Sequence, residues 1–159
     1  MERLELRMYG LVPYNISPIQ QGIQFGHAVV EYSRNCDGVK NMEAIYKDWA
    51  DNWKTFIILN GGTTNTNMST DDGLPFGSMN RHLMALLDLG IPHAAFYEPD
   101  LGDQLTAIVF IIDERIFNKT KYPEPQPFAT NEEIDLFIEA IGGETNYKIR
   151  TFINQFRLA

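Results

Sequence analysis

Apolar positions along this chain change period several times, and each change marks a predicted element. Residues 4–12 alternate in part between apolar and polar and stop at Pro13, the pattern of a first strand. The period then lengthens to that of a helix, with Ser17 as a natural N-cap and Pro18 where the first helical position tolerates proline. That helix should run to Asn35 and stop at Asp37-Gly38. Met42, Ile45, Tyr46 and Trp49, at helical spacing, predict a second helix over 39–52. The run Thr55-Phe56-Ile57-Ile58-Leu59 carries the strongest strand signal, in a strand expected over 53–59 and ended by Asn60-Gly61-Gly62. Residues 60–77 are then denser in Gly, Thr, Asn, Ser and Asp than a compact connection needs. A third helix, capped by Ser78 or Asn80, should reach Leu89 and stop at Gly90. Residues 93–97 and 105–112 read as two strands, and 119–128, with three prolines, as a crossing segment. Helices over 131–141 and 147–156, parted by Gly142-Gly143, complete the pattern. This order predicts an α/β fold, a three-layer α/β/α sandwich on a mixed sheet of about four strands, in a single domain over 1–159.

The first predicted helix has an unusual surface. At about 100° per residue, Gln20, Gln24, His27 and Glu31 fall within a roughly 60° polar sector. Ile19, Ile23 and Val30 flank one side, Ala28 the other, and Gly22, Phe25 and Val29 lie behind. A helix so covered should be buried all round, and its polar stripe should face a partner or a ligand cavity, because buried amide and imidazole groups left unpaired cost about 1–3 kcal/mol each. Gly22 and Gly26, four residues apart, should let another backbone approach closely.

Composition narrows the function classes. A chain of 159 residues can bury a core without staples, and its one cysteine, Cys36, excludes an internal disulfide and a thiolate metal cluster. Cys36 lies near no evident base and reads as inert. The opening residues hold no apolar run of the secretory kind, and no stretch approaches the ~20 apolar residues of a membrane span, so a cytoplasmic setting with no membrane contact is expected. A formal net charge of −8 opposes broad binding to nucleic acid, which relies on lysine and arginine at phosphates.

The loop after the predicted strand at 53–59 offers Thr63, Thr64 and Asn65, hydroxyls and an amide able to hold a phosphate or ribose without charge, at the end of a strand where open α/β sheets place ligands. It lacks the lysine of a P-loop. Asp71-Asp72 has no histidine at metal-site spacing, and Glu98, Asp100 and Asp103 read as a solvated turn more readily than as an oxygen-ligand set for a hard cation. No metal and no cofactor is expected.

Two stretches carry a family resemblance. Gln20-Gln21-Gly22-Ile23-Gln24-Phe25-Gly26-His27-Ala28 resembles the first-helix motif of the type 2 peptidyl-tRNA hydrolases, in which a lysine opens the helix and Gln, a small residue, His and Ala follow; Gln24, Gly26, His27 and Ala28 match in place. Gly90-Ile91-Pro92-His93-Ala94-Ala95-Phe96 followed by Asp100-Leu101-Gly102 resembles the family's segment of glycine, apolar strand and Asp-x-Gly. The resemblance spans residues 4–112. It implies the family's fold, a homodimer, and a site in which the helix-opening lysine, the Asp of Asp-x-Gly and nearby threonines cleave the ester joining a peptide to tRNA. Asp100 and Thr106 are the positions that carry over, with His27 beside them as a catalytic residue if the chain is a hydrolase. Gln20 stands in the place of the lysine and Gln104 in that of a threonine, and Gln20 cannot supply a cation to a phosphate or oxyanion. Lys54, Arg81 and Lys119 are the candidate substitutes. The reading that follows is a binding protein that holds or sequesters a nucleotide-like small molecule without turnover, through Gln20, Gln24, His27, Thr63, Thr64, Asn65, Asp100 and Thr106. The alternative is an active peptidyl-tRNA hydrolase, with tRNA as a partner disfavoured by charge.

Overall fold

The computed structural model describes residues 2–64 and 77–159. Asn65, Asp71 and Asp72 lie outside the described residues, so the expectations placed on them are not addressed by the structure. The chain folds as β1 (Leu6–Val12), α1 (Pro18–Asn35), α2 (Lys40–Asp48), β2 (Phe56–Asn60), α3 (Ser78–Leu89), β3 (His93–Glu98), β4 (Gln104–Asp113), α4 (Glu114–Phe117), α5 (Asn131–Ala140) and α6 (Glu144–Ile153). The four strands form one mixed sheet in the order β2-β1-β4-β3, with β1 parallel to β2 and the other pairs antiparallel. This is the α/β architecture expected.

Strand alternation divides the core into two layers. On one face Met8, Val12, Ala94, Ala107 and Val109 meet Phe25, Ala28 and Tyr32 of α1 and Met42 and Trp49 of the next helical stretch. On the other, Tyr9, Leu11, Ile108 and Phe110 meet Met79 and Leu86 of α3 and Ile149 and Phe152 of α6. Both central strands are thus covered on both sides, which explains their near-continuous apolar sequence. Arg150 of α6 is buried in the second layer and ties down the proline-rich crossing segment: its guanidinium donates to Glu124 Oε1 (2.7 Å) and to the carbonyls of Arg115 and Tyr122.

Several boundaries move for local reasons. The second helix ends its regular part at Asp48 and continues as a π-helical turn, Trp49–Trp53, closed by Lys54 in the left-handed region (φ 55°), so the following strand begins at Phe56 and not at Trp53. The last helix starts at Glu144 and ends at Ile153, and a short turn of helix after β4, α4, was not anticipated.

The larger correction concerns α1. Ser17 caps it, accepting the Gln20 N–H at 3.3 Å, with Pro18 following. Yet the helix is not buried all round: Ile19 is 73% and Val30 56% exposed, and Ile23 is exposed beside them. Gly22 and Gly26 are exposed as well, and a Cβ built at either meets nothing within 4 Å among the described residues, so no described backbone approaches them. The close approach uses a strand glycine instead. Gly10 of β1 carries the ring of Phe25 directly upon it, where a Cβ would stand 2.2 Å from Phe25 Cε2. Trp49, at helical spacing in the second helix's pattern, is buried against Tyr46 and Phe56.

Candidate functional site

The polar stripe of α1 meets the sheet where β3 passes into β4. The register slips there: Phe96 faces Ala107 and Tyr97 faces Leu105, which leaves Thr106 as the extra residue of a β-bulge. Bulges re-aim side chains. Thr106, fully buried, turns its hydroxyl to the helix and donates to Gln24 Oε1 at 2.8 Å. Gln24, itself 1% exposed, donates through Nε2 to Glu98 Oε2 at 2.7 Å and, more weakly, to Gln20 Oε1 at 3.3 Å. Glu98 Oε1 accepts the backbone N–H of Asp100 at 3.1 Å. Every group in this chain has one consistent role. An ionised carboxylate only accepts, so the Gln24 amide must turn its NH₂ to Glu98 and its oxygen to Thr106, whose hydroxyl must then donate.

The result is a carboxylate fixed in place and kept charged. The Gln24 amide, the Asp100 N–H and the neighbouring His27 together hold the Glu98 carboxyl below the usual carboxylate range, against the opposing effect of its partial burial. His27 Nδ1 lies 3.9 Å from Glu98 Oε2, and its ring rests on Phe96 with centroids 4.4 Å apart. Glu98 and Asp100 open with Ile16, Ser17, Gln20 and Leu101 onto a cleft of about 330 Å³. Among the described residues that cleft is lined by two carboxylates and no cation. Such a surface attracts hydroxyl, amino or ammonium donors and repels phosphate.

The residues singled out in the sequence therefore separate. Gln20, Gln24, His27 and Thr106 come together around Glu98. Asp100 lines the cleft but contributes its backbone to the network, while its carboxylate is exposed. Thr64 is buried and its hydroxyl donates to the Leu105 carbonyl, and its backbone pairs with the Asn15 side-chain amide through contacts of 3.1 and 2.8 Å. Thr63 is likewise engaged through its backbone with Ser78. Both threonines hold the chain's path and do not line the cleft. Lys54, Arg81 and Lys119 are absent from its lining as well, so the substitution of the family's cation by any of them has no geometric support. Cys36 is buried, and burial pushes its thiol pKa up, in keeping with an inert role. Among the described residues no group of acidic, histidine or cysteine side chains is arranged to hold a metal, and no helix is long and apolar enough to cross a membrane.

Glu98, the centre of the network, is the residue that the sequence reading left on a solvated turn. Period-two alternation contains the signal: Ala94 and Phe96 of β3 face α1, and the next position on that face is Glu98. No family model matches the chain, and no curated protein matches it.

Proposed function

We propose that this protein binds the neutral, donor-bearing part of a nucleotide-like small molecule, its base or ribose, in the cleft between the start of α1 and the β3–β4 turn. The observation that supports this reading is the buried Thr106–Gln24–Glu98 chain, which presents an ionised carboxylate to a cleft without a cation. In this arrangement Glu98 accepts from a ribose diol or an exocyclic amine, Gln20 and Ser17 add polar contacts at the rim, and any phosphate of the ligand points away from Glu98 and Asp100. Holding a ligand asks nothing more of these residues. Cleavage of an ester needs stabilisation of a developing oxyanion, and among the described residues the cleft has no side-chain cation for it. A thermal-shift screen, followed by calorimetry, over nucleosides, linear and cyclic nucleotides and ADP-ribose-type compounds tests the reading. A nucleoside-bearing ligand should stabilise the protein, and Glu98→Gln should weaken its binding about tenfold or more, as expected for loss of a charge-assisted hydrogen bond. No stabilising ligand across that set refutes it.

A second reading, hydrolysis of the ester between peptide and tRNA, is favoured by one feature. Glu98 Oε2 lies 3.9 Å from His27 Nδ1, and an approach of about 1 Å on substrate binding would form the hydrogen bond that sets the imidazole tautomer and lets the other nitrogen take a proton from water. Purified protein would then release peptide from an N-blocked aminoacyl-tRNA, and Glu98→Gln and His27→Ala would each stop it. Absence of turnover at micromolar protein removes this reading.

A further inference from the structure

On the α3–α6 side of the sheet, the end of β2, the first turns of α3 and residues 155–157 enclose a second hollow of about 310 Å³ that shares no lining residue with the Glu98 cleft. Its wall includes Tyr14, Asn60, His82 and Arg157 and, among the described residues, contains no carboxylate, on a chain of formal net charge −8. Several acceptors there are already taken, although the side-chain oxygen of Gln155, in the same wall, takes no hydrogen bond from a described residue while its Nε2 donates to the Phe152 carbonyl. The carbonyl of Gly62 already takes the Tyr14 N–H and that of Arg157 the Asn60 N–H, each at 2.8 Å. The carbonyl of Gly61 takes the Ser78 hydroxyl at 2.8 Å, and Asn60 Oδ1 takes the Gly62 N–H at 2.9 Å. The donors, by contrast, are uncommitted: among the described residues neither Asn60 Nδ2, the Arg157 guanidinium nor either ring nitrogen of His82 has a partner.

His82 is held by packing alone. Its ring meets Phe156 and Phe152 of the α6 end nearly edge-on, with centroids 4.7 and 6.0 Å apart. Among the described residues the other titratable or charged groups around it are Arg81 on its own helix, Arg157, and Tyr14 from the loop after β1. Burial, with a smaller contribution from Arg81, pushes its pKa below the ordinary histidine value, so the ring is neutral at pH 7.

We propose that this hollow is an anion site that takes a compact oxyanion of the phosphate-monoester class, with Arg157 supplying charge and Asn60 Nδ2 and His82 the directed donors. Charge-assisted bonds from a guanidinium suit phosphate geometry. The volume lies at the small end of ligand pockets, enough for a phosphate with a short organic group and too small for a dinucleotide. A bound anion opposes the burial effect on His82 and favours its protonated form, so the His82 midpoint rises on binding.

The test follows the His82 ring by NMR in the full chain, titrated with sodium phosphate, with ribose 5-phosphate, and with sodium chloride at matched ionic strength. Either phosphate should give a saturable shift and raise the His82 titration midpoint by about one pH unit, as expected for an opposite charge at contact distance. Tighter binding of ribose 5-phosphate identifies an esterified ligand and equal binding the free ion, and both support the site. Arg157→Gln, at an exposed position and leaving the backbone carbonyl that takes the Asn60 N–H, should lower either affinity about tenfold or more. A His82 midpoint identical in phosphate and chloride, or a phosphate response unchanged in Arg157→Gln, overturns the proposal.

Discussion

Replacing Thr106 with valine tests the polar chain behind the cleft with almost no change in side-chain volume. The substitution removes the donor that Gln24 Oε1 receives at 2.8 Å, and Gln24, 1% exposed, is shielded from bulk solvent. The amide cannot rescue itself by flipping, since that would point its oxygen at the Glu98 carboxylate, 2.7 Å from Nε2. The long contact from the Thr106 hydroxyl to the Phe96 carbonyl, 3.4 Å, contributes little. The loss is therefore that of one buried unsatisfied acceptor, about 1–3 kcal/mol. For a chain of this size each kcal/mol corresponds to roughly 2–4 °C in Tm, so thermal melts at pH 7 should show a drop of roughly 2–12 °C. Urea unfolding of Thr106→Val, Gln24→Leu and the double variant completes a cycle. Because the Gln24–Thr106 pair is then removed together, the double should cost less than the sum of the singles, with a coupling of about 0.5–3 kcal/mol. Thr106→Ser, which keeps the donor, should recover part of the loss. A Thr106→Val protein within about 0.5 kcal/mol of the parent, or a strictly additive cycle, refutes the network as described.

Three further outcomes are expected. Gly10→Ala places a methyl 2.2 Å from the Phe25 ring and should destabilise by about 1–3 kcal/mol in urea, with Phe25→Leu in the same chain restoring part of the loss. Gly26→Ala, on the open face of α1 with nothing within 4 Å, should stabilise by about 0.5–1 kcal/mol through helix propensity; a loss of stability instead would show that this face is covered in solution. Because the folded-state pKa of Glu98 is depressed, the unfolded chain binds the proton more readily. The stability that Glu98 contributes is thus complete above the unfolded value of about 4.3 and lost as pH falls through the lower folded-state pKa, so stability-against-pH curves for Glu98→Gln should be flatter than the parent's in that acid range.

The architecture was legible in the chain because periodicity is a local record of burial. The helical spacing of Phe25, Ala28 and Tyr32 and the apolar runs of β1 and β4 state which residues face a core, and Ser17-Pro18 states where α1 begins. What periodicity does not encode is which face of an apolar helix is left open. Ile19, Ile23 and Val30 read as core by character, yet they lie opposite the face that meets the sheet, where no described element covers them.

Half of the candidate site was similarly readable. Gln20, Gln24 and His27 share a stripe by helix geometry alone, and the structure keeps them together. The choice of Glu98 over Asp100 as the carboxylate that meets them was harder to read, because the expected strand stops at residue 97 and the alternation that points to Glu98 has to be carried one residue further, to the end of β3, with Asp100 in the turn beyond. Strand alternation and a single extra residue in β4 decide between them: the bulge at Thr106 brings its hydroxyl onto the α1 face, and β3 delivers Glu98 to that same face. By itself, then, the sequence determined the layers, the sheet's apolar strands and the polar stripe of α1, all of which depend on neighbours within a few residues. The tertiary structure alone decided that the stripe meets a charged carboxylate and that the glycine allowing close approach is Gly10, because both follow from the registration of segments far apart in the chain.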